Sequence, residues 1–299
     1  MHSEGVFFFS SHLLYSDRME WTVIGHDKQK RLFEKALMRD AFVHAYLFTG
    51  PAMVGKRSFA LDIIRASHDG AEPGLSDPYA TIIAPEERHP IPIGAIRTMR
   101  RSLALRPPTG VRQFVLIDDA ERMNAEAANA LLKVLEEPPP SVTFLLISAA
   151  PGELPETVRS RCHMIRFGTV PEEAVAAFVG TLSMPAKVRD GIVTLAAGRP
   201  GWAARVAGDK RTTEVLADGD AYRSYVSGGI AERLVWAKGL ASREDIRELV
   251  TQWIAVERAV FTDSEASPAR LHRLLALHET LGNVGMRERI AIEDFLLRA

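Results

Sequence analysis

The sequence predicts an α/β domain built on a parallel sheet, followed by an all-α region, and three observations carry that prediction. From Trp21 to Phe167 short apolar runs alternate with helical periods, the pattern of a layered α/β fold. A glycine-bracketed loop from Gly50 to Lys56 joins one of those apolar runs to a helix. Past Gly168 the strand signal disappears and only helical periods remain.

Taken in order, residues 27–39 read as an amphipathic helix with Leu32, Phe33, Ala36 and Leu37 on one face. Ala45 to Phe48 is a short buried strand that ends at Thr49-Gly50-Pro51, where the chain must turn. A helix starts near Lys56. After Arg65 comes a Gly/Pro/Asp-rich connection as far as Pro92, interrupted by a weak strand from Tyr79 to Ile83. Residues 93–104 look helical. Phe114 to Ile117 is the clearest strand in the chain, and Val142 to Ile147 is the next. Between them Asn124 is placed to cap a helix running to about Glu137, which Pro138-Pro139-Pro140 stops. Strands alternating with helices argue for parallel pairing through crossover connections. Pro171 to Ala207 reads as two or three short helices punctuated by Pro185, Gly191 and Gly198-Arg199-Pro200-Gly201. From about residue 211 onward Trp236, Trp253, Leu271, Leu274, Leu275 and Leu281 fall at helix-compatible spacings, mostly as core.

Composition narrows the function. The 299 residues are 46% hydrophobic and 25% charged, ordinary for a globular protein with a real core. Thirty-seven Lys and Arg against thirty-eight Asp and Glu leave a net charge of −1, which excludes a strongly basic nucleic-acid coat. The single cysteine, Cys162, excludes an internal disulfide framework and a cysteine-rich zinc site. No apolar run approaches the roughly 20 residues of a membrane span, so a soluble, cytoplasmic chain is expected. Residues 1–18 include Val6 to Phe9 and Leu13 to Tyr15, but His2, Glu4, Asp17 and Arg18 do not frame a signal peptide. They read as a loose extension before Met19.

The chemistry concentrates in Gly50-Pro51-Ala52-Met53-Val54-Gly55-Lys56-Arg57, between a strand and a helix. In that context the glycines let backbone N–H groups curl around an anion, the helix N-terminus adds its positive end, and Lys56 reaches terminal phosphates. Asp118, directly after the Phe114–Ile117 strand, sits where such folds put the carboxylate that organises Mg²⁺. The loop is nevertheless damaged. Arg57 stands where a Ser or Thr hydroxyl should bind Mg²⁺, and a guanidinium has no lone pair to give a cation. Ser58 comes one residue late, about 100° round the helix.

The order of motifs is more specific than any one of them. His44 to Pro51 leads into the loop, Asp118-Asp119-Ala120-Glu121-Arg122-Met123 leads into Asn129 to Pro139, and Leu154 to Cys162 completes the series with Ser160-Arg161-Cys162. Over roughly residues 21–205 this resembles the bacterial clamp-loader branch of the AAA+ proteins. The resemblance implies a P-loop α/β domain over 19–168, a helical lid over 169–208 and a helical oligomerisation collar over 209–299. It also implies four departures from the hydrolysing subunits of that branch. Arg57 replaces the metal-binding hydroxyl, and Asp119 replaces the Glu that orients water. Ala149, eleven positions before Ser160, replaces a polar sensor, and Gly201 takes the slot of a basic sensor, with Arg199 two residues out of place. Phosphoryl transfer depends on positioned charge, so together these argue against hydrolysis by this chain. Arg161 survives, and in this family that Arg acts in trans on the ATP of a neighbouring subunit.

The resemblance therefore implies a non-hydrolysing subunit that scaffolds the loader and lends Arg161. Its partners would be gamma/tau-type and delta-type subunits, with primed DNA and the sliding clamp met inside the complex and no membrane involved. No cofactor is required on this reading. The remains of a nucleotide site, Gly50, Gly55, Lys56 and Asp118, are compatible with ATP as an unhydrolysed ligand. Many relatives in the branch carry a four-cysteine zinc module after the P-loop helix. Here Ala66 to Pro90 has no cysteine and only His68 and His89, so no zinc is expected. Arg97, Arg100 and Arg101 share a helix face and are candidates for contacting primer–template phosphates, with Arg106 and Lys133 weaker ones. Two other readings stay open: an ATP-hydrolysing subunit of the same type, and a stand-alone DNA-binding protein.

Overall fold

In the computed structural model the described residues are 20–298 apart from 69, 74–76, 87–88, 104–106, 210–211, 241–242, 244–245, 261–267 and 282–287. The extension 1–18 and Arg106 lie outside the described residues. The chain divides into two compact units between Thr169 and Val170.

Unit 1 is built on five strands: β1 Ala45–Thr49, β2 Ala80–Ile83, β3 Gln113–Ile117, β4 Val142–Ser148 and β5 His163–Arg166. All pair in parallel, in the order β2-β3-β4-β1-β5. Every residue of β1, β3 and β4 is buried, so these strands read as nearly continuous apolar runs rather than alternating ones, with Thr143 the one interior polar residue. Alternate side chains serve two cores. Ala45 and Leu47 join Val115, Ile117, Phe144 and Leu146 on one face, while Tyr46 and Phe48 join Phe114, Leu116, Leu145 and Ile147 on the other.

Helices cover both faces. On the Tyr46 face lie α1 Asp27–Met38 and α2 Lys56–Ser67. There Phe33 meets Tyr46, Phe48 and Phe59 with centroids 4.9–5.6 Å apart. On the Leu47 face lie α3 Ile93–Ser102 and α4 Ala125–Glu136, followed by the short α5 Glu156–Arg159. Asn124 caps α4 as its position predicts, its Oδ1 accepting from Ala127 N at 2.8 Å. The connection after α2 is held by His68, whose ring bonds Asp77 through Nδ1 and the Arg112 carbonyl through Nε2.

Two features depart from the sequence reading. Leu32 is 46% exposed, so the buried stripe of α1 is Phe33 and Leu37 with Ala36 at its margin. The strand β5 has no counterpart among the strands predicted. Only Ile165 of its four residues is buried, so it lacks the apolar run that signals a strand and is defined by its pairing with β1.

Unit 2 is all-helical where described: α6 Glu172–Gly180, α7 Ala186–Ala196, α8 Pro200–Gly208, α9 Thr212–Ser227, α10 Ile230–Leu240, α11 Ile246–Val260, α12 Pro268–Thr280 and α13 Glu288–Arg298. Its interior holds Trp253, stacked on Tyr222 at 5.3 Å, and a buried Glu257 that accepts from Tyr222 Oη and Arg270 Nε. Leu274 is buried and Leu275 is 40% exposed, so those neighbours divide between core and surface.

The burial pattern of α1 has a direct consequence. Phe33→Ala should cost about 3–5 kcal/mol in denaturant unfolding, by removal of a fully buried ring. Leu32→Ala should stay within about 0.5 kcal/mol. Equal costs for the two would contradict the assigned helix face.

Candidate functional site

The loop after β1 is shaped by two positive-φ glycines. Gly50 has φ 134°, and a Cβ there would stand 2.0 Å from the Phe167 carbonyl oxygen. Gly55, φ 106°, precedes α2, and its Cβ would meet Val23 Cγ2 at 2.6 Å. His26 closes the loop from outside. Its Nε2 lies 2.7 Å from the Val54 carbonyl, so that nitrogen carries the proton, and its ring stands edge-on to Phe167. Burial, with the charge of Lys30 adding to it, holds the His26 imidazole below its ordinary range.

Lys56 is only 5% exposed, and its Nζ donates to the Gly50 and Pro51 carbonyls at 2.7 Å each. Burial lowers its pKa, opposed by Glu121, Asp118 and Asp119 nearby. Asp118 comes directly after β3 as predicted. Its Oδ2 accepts from Arg57 Nη1 at 2.6 Å in an ion pair whose Asp is mostly buried and whose Arg is about half exposed. Asp119 sits at φ 45°, and burial raises its carboxyl pKa with help from Asp118 and Glu121. Ser58 faces outward on α2.

Sequence reasoning missed Glu121. It lies in the 3₁₀ turn Ala120–Arg122 and its Oε1 accepts from the backbone N–H groups of Ala149 and Ala150 at 2.9 and 3.1 Å. Its Oε2 is buried with no partner. The signal available was positional: an acid three residues beyond Asp118, opposite a position whose own side chain had been lost. A hydrolysing P-loop site holds Mg²⁺ at this place, and the residues present here do not fit it. The carboxylate that should organise the metal is taken by a guanidinium that donates and cannot ligate.

The other predicted positions lie elsewhere. Arg161 lies just beyond α5, near the start of β1, since its carbonyl is 3.0 Å from His44 Nε2. The loop begins at the other end of that strand, about 16 Å away at 3.3 Å per residue. The Arg161 side chain is 35% exposed; Nη1 donates to the Thr157 carbonyl at 2.9 Å and Nη2 to Glu136 Oε1 at 2.7 Å. Arg97, Arg100 and Arg101 are all exposed on α3, and Lys133 on α4. In unit 2, Arg199 donates to the Ala196 and Leu195 carbonyls and lies over the Trp202 ring. Cys162 packs half-buried against the Leu47-face core, and burial pushes its thiol up to about 12. Among the described residues no group of three or more His, Cys, Asp or Glu could hold a metal ion, and no helix is long and apolar enough to cross a membrane.

A five-stranded parallel sheet in this order, with a phosphate-type loop after its β1 strand and an acidic end on β3, is a P-loop domain of the AAA+ type. Residues 25–171 match the family model described as DNA polymerase III, delta subunit. The chain is 32% identical over 201 residues to the delta prime subunit of DNA polymerase III from Pseudomonas aeruginosa, covering 60% of each protein. It is 30% identical over 209 residues to the Escherichia coli delta prime subunit, covering 68% of this chain and 54% of that one. The tau subunit of Bacillus subtilis matches at 28% over 166 residues, covering 51% of this chain and 30% of that one. The chain thus spans between about a third and three fifths of the length of these relatives. Over the matched region the chain is similar to the delta prime and tau subunits of bacterial DNA polymerase III, with the higher identities to the two delta prime subunits.

Two outcomes test this geometry. Nucleotide affinity of the wild-type chain should be indifferent to Mg²⁺, whereas Arg57→Thr should gain at least about tenfold when Mg²⁺ is added, read by calorimetry. Mg²⁺ dependence already present in the wild type would mean that Arg57 does not hold Asp118. With its thiol near 12, Cys162 carries about one part in ten thousand as thiolate at pH 8, against about a quarter for an ordinary thiol. Its alkylation should therefore run at least about a hundredfold slower than that of free cysteine, quicken as pH rises towards 12, and recover on unfolding.

Proposed function

We propose that the chain acts as a non-hydrolysing, delta prime-type subunit of a DNA polymerase III clamp loader, supplying Arg161 as an arginine finger to the ATP site of a neighbouring gamma/tau-type subunit. The observation that carries this reading is the separation along β1. Arg161 lies by the strand's start while the chain's own loop lies beyond its end, so the guanidinium is out of reach of any phosphate held by Lys56. A partly exposed arginine that cannot serve its own site is suited to serving another's.

The chain's own loop supports the same reading. Arg57 occupies Asp118, Asp119 is one methylene shorter than the water-orienting Glu of the hydrolysing subunits, and Ala149 offers only its backbone, already bound to Glu121. On this reading no cofactor is required, zinc has no part, and ATP at Lys56 is at most a ligand that is not turned over. The lid over 169–208 and the collar over 209–299 join the chain to gamma/tau-type and delta-type subunits in the cytoplasm. Exposed Arg97, Arg100 and Arg101 face the phosphates of primed DNA while the neighbours' ATP opens the sliding clamp.

The test is DNA-stimulated ATPase of the reconstituted loader with wild-type chain and with Arg161→Ala. Assembly should be retained, and hydrolysis at the adjoining site should fall on the order of a thousandfold. Unchanged hydrolysis sinks the finger, and substantial hydrolysis by the isolated chain would support an ATP-hydrolysing subunit instead.

A further inference from the structure

We infer that Glu136 is the positioning residue for Arg161: it clamps one end of the guanidinium so that the remaining N–H groups face outward in a fixed plane. The inference rests on the trans-acting role proposed for Arg161 and extends it to a residue on a different helix.

Two points define the guanidinium. Nη1 donates to the Thr157 carbonyl, four residues back in its own segment, and Nη2 donates to Glu136 Oε1 at the end of α4. Fixing both terminal nitrogens fixes the plane of the group, which rotation about the side-chain bonds would otherwise leave free. Of five N–H donors these bonds use two, so three remain for an incoming phosphate without any bond having to break.

The placement of Glu136 is otherwise unfavourable. It is the last residue of α4, where the carbonyl ends of the helix repel a carboxylate, and another acid, Glu137, stands next to it. A carboxylate at that end of a helix needs a cation, and the cation it meets is Arg161, not a lysine or arginine of its own helix. Pro138-Pro139-Pro140 ends α4 at this point, so the position of Glu136 is set by the packing of α4 on the sheet rather than by a loop. Thr157 and Arg161, in turn, belong to the segment that enters β5. The two elements that carry the clamp are each anchored in the same unit, and the arginine between them is preset before any partner arrives.

As a surface ion pair, Glu136–Arg161 contributes little to stability, so its effect should appear in rate rather than in folding. The experiment uses the reconstituted loader with primed DNA and reads kcat and KM for ATP. Glu136→Ala should lower kcat about tenfold with KM nearly unchanged, because a freely rotating finger is misplaced only for the transition state. Glu136→Gln, whose amide oxygen still accepts from Nη2, should stay within about twofold of wild type. Combined with Arg161→Ala, Glu136→Ala should slow the loader no further than Arg161→Ala alone. Should the alanine variant fail to assemble, Glu136→Asp keeps the charge but withdraws the oxygen, and it too should lose kcat several-fold. Wild-type kcat in the alanine or aspartate variant overturns the inference, as does a double variant slower than Arg161→Ala. Wild-type hydrolysis with Arg161→Ala instead overturns the trans-acting role beneath it.

Discussion

The parallel pairing of β1 with β4 on one side and β5 on the other is the constraint on which the rest depends. Because β1 is buried along its whole length and bonded at both edges, its two ends are fixed points. The loop with Gly50 and Gly55 leaves one end, and the α5–β5 segment with Arg161 is drawn to the other through His44 and the Tyr46–His163 register. One five-residue strand therefore separates the phosphate-type loop from Arg161.

Charge at the loop is balanced within the chain. In a metal-dependent P-loop site, Mg²⁺ neutralises the acidic strand end and the phosphates together. Here Arg57 neutralises Asp118, and Glu121 takes the backbone donors at the end of β4. Lys56 turns back onto the carbonyls of its own loop. Glu121 Oε2 apart, these donors and acceptors already answer one another, and such groups have less to gain from a ligand than charges left to satisfy.

Much of this was legible in the sequence, for identifiable reasons. The central strands announced themselves because burial on both faces favours nearly continuous apolar runs, and Asn124 announced the start of α4 because a cap needs a short acceptor. The motif order pointed to the family before any geometry did. What escaped were features set by tertiary contact. β5 carries a single buried residue, so its identity comes from β1 and not from its own composition. Leu32 fits the helical period yet lies at the margin, since a hydrophobic stripe on α1 can be read one position wide or two. Arg57 was recognised as a loss, but its pairing with Asp118 spans 61 residues, and no local pattern encodes a contact of that range. Glu121 stands in the Asp118–Met123 motif with no role of its own there, because the Ala149 and Ala150 amides that it accepts from are 28 and 29 residues away.

The exposed edge of β5 carries one more consequence. The Arg166 carbonyl points away from β1, because the next amide, Phe167 N–H, points towards it, and Gln29 of α1 donates its side-chain amide to that carbonyl at 2.6 Å. A sheet edge grows only by offering its outward groups to another strand, and one of those groups, the Arg166 carbonyl, is already taken from within the chain. Lateral accretion of a sixth strand, whether from a second copy or from an unfolding neighbour, is thereby discouraged at a strand too short to compete for it.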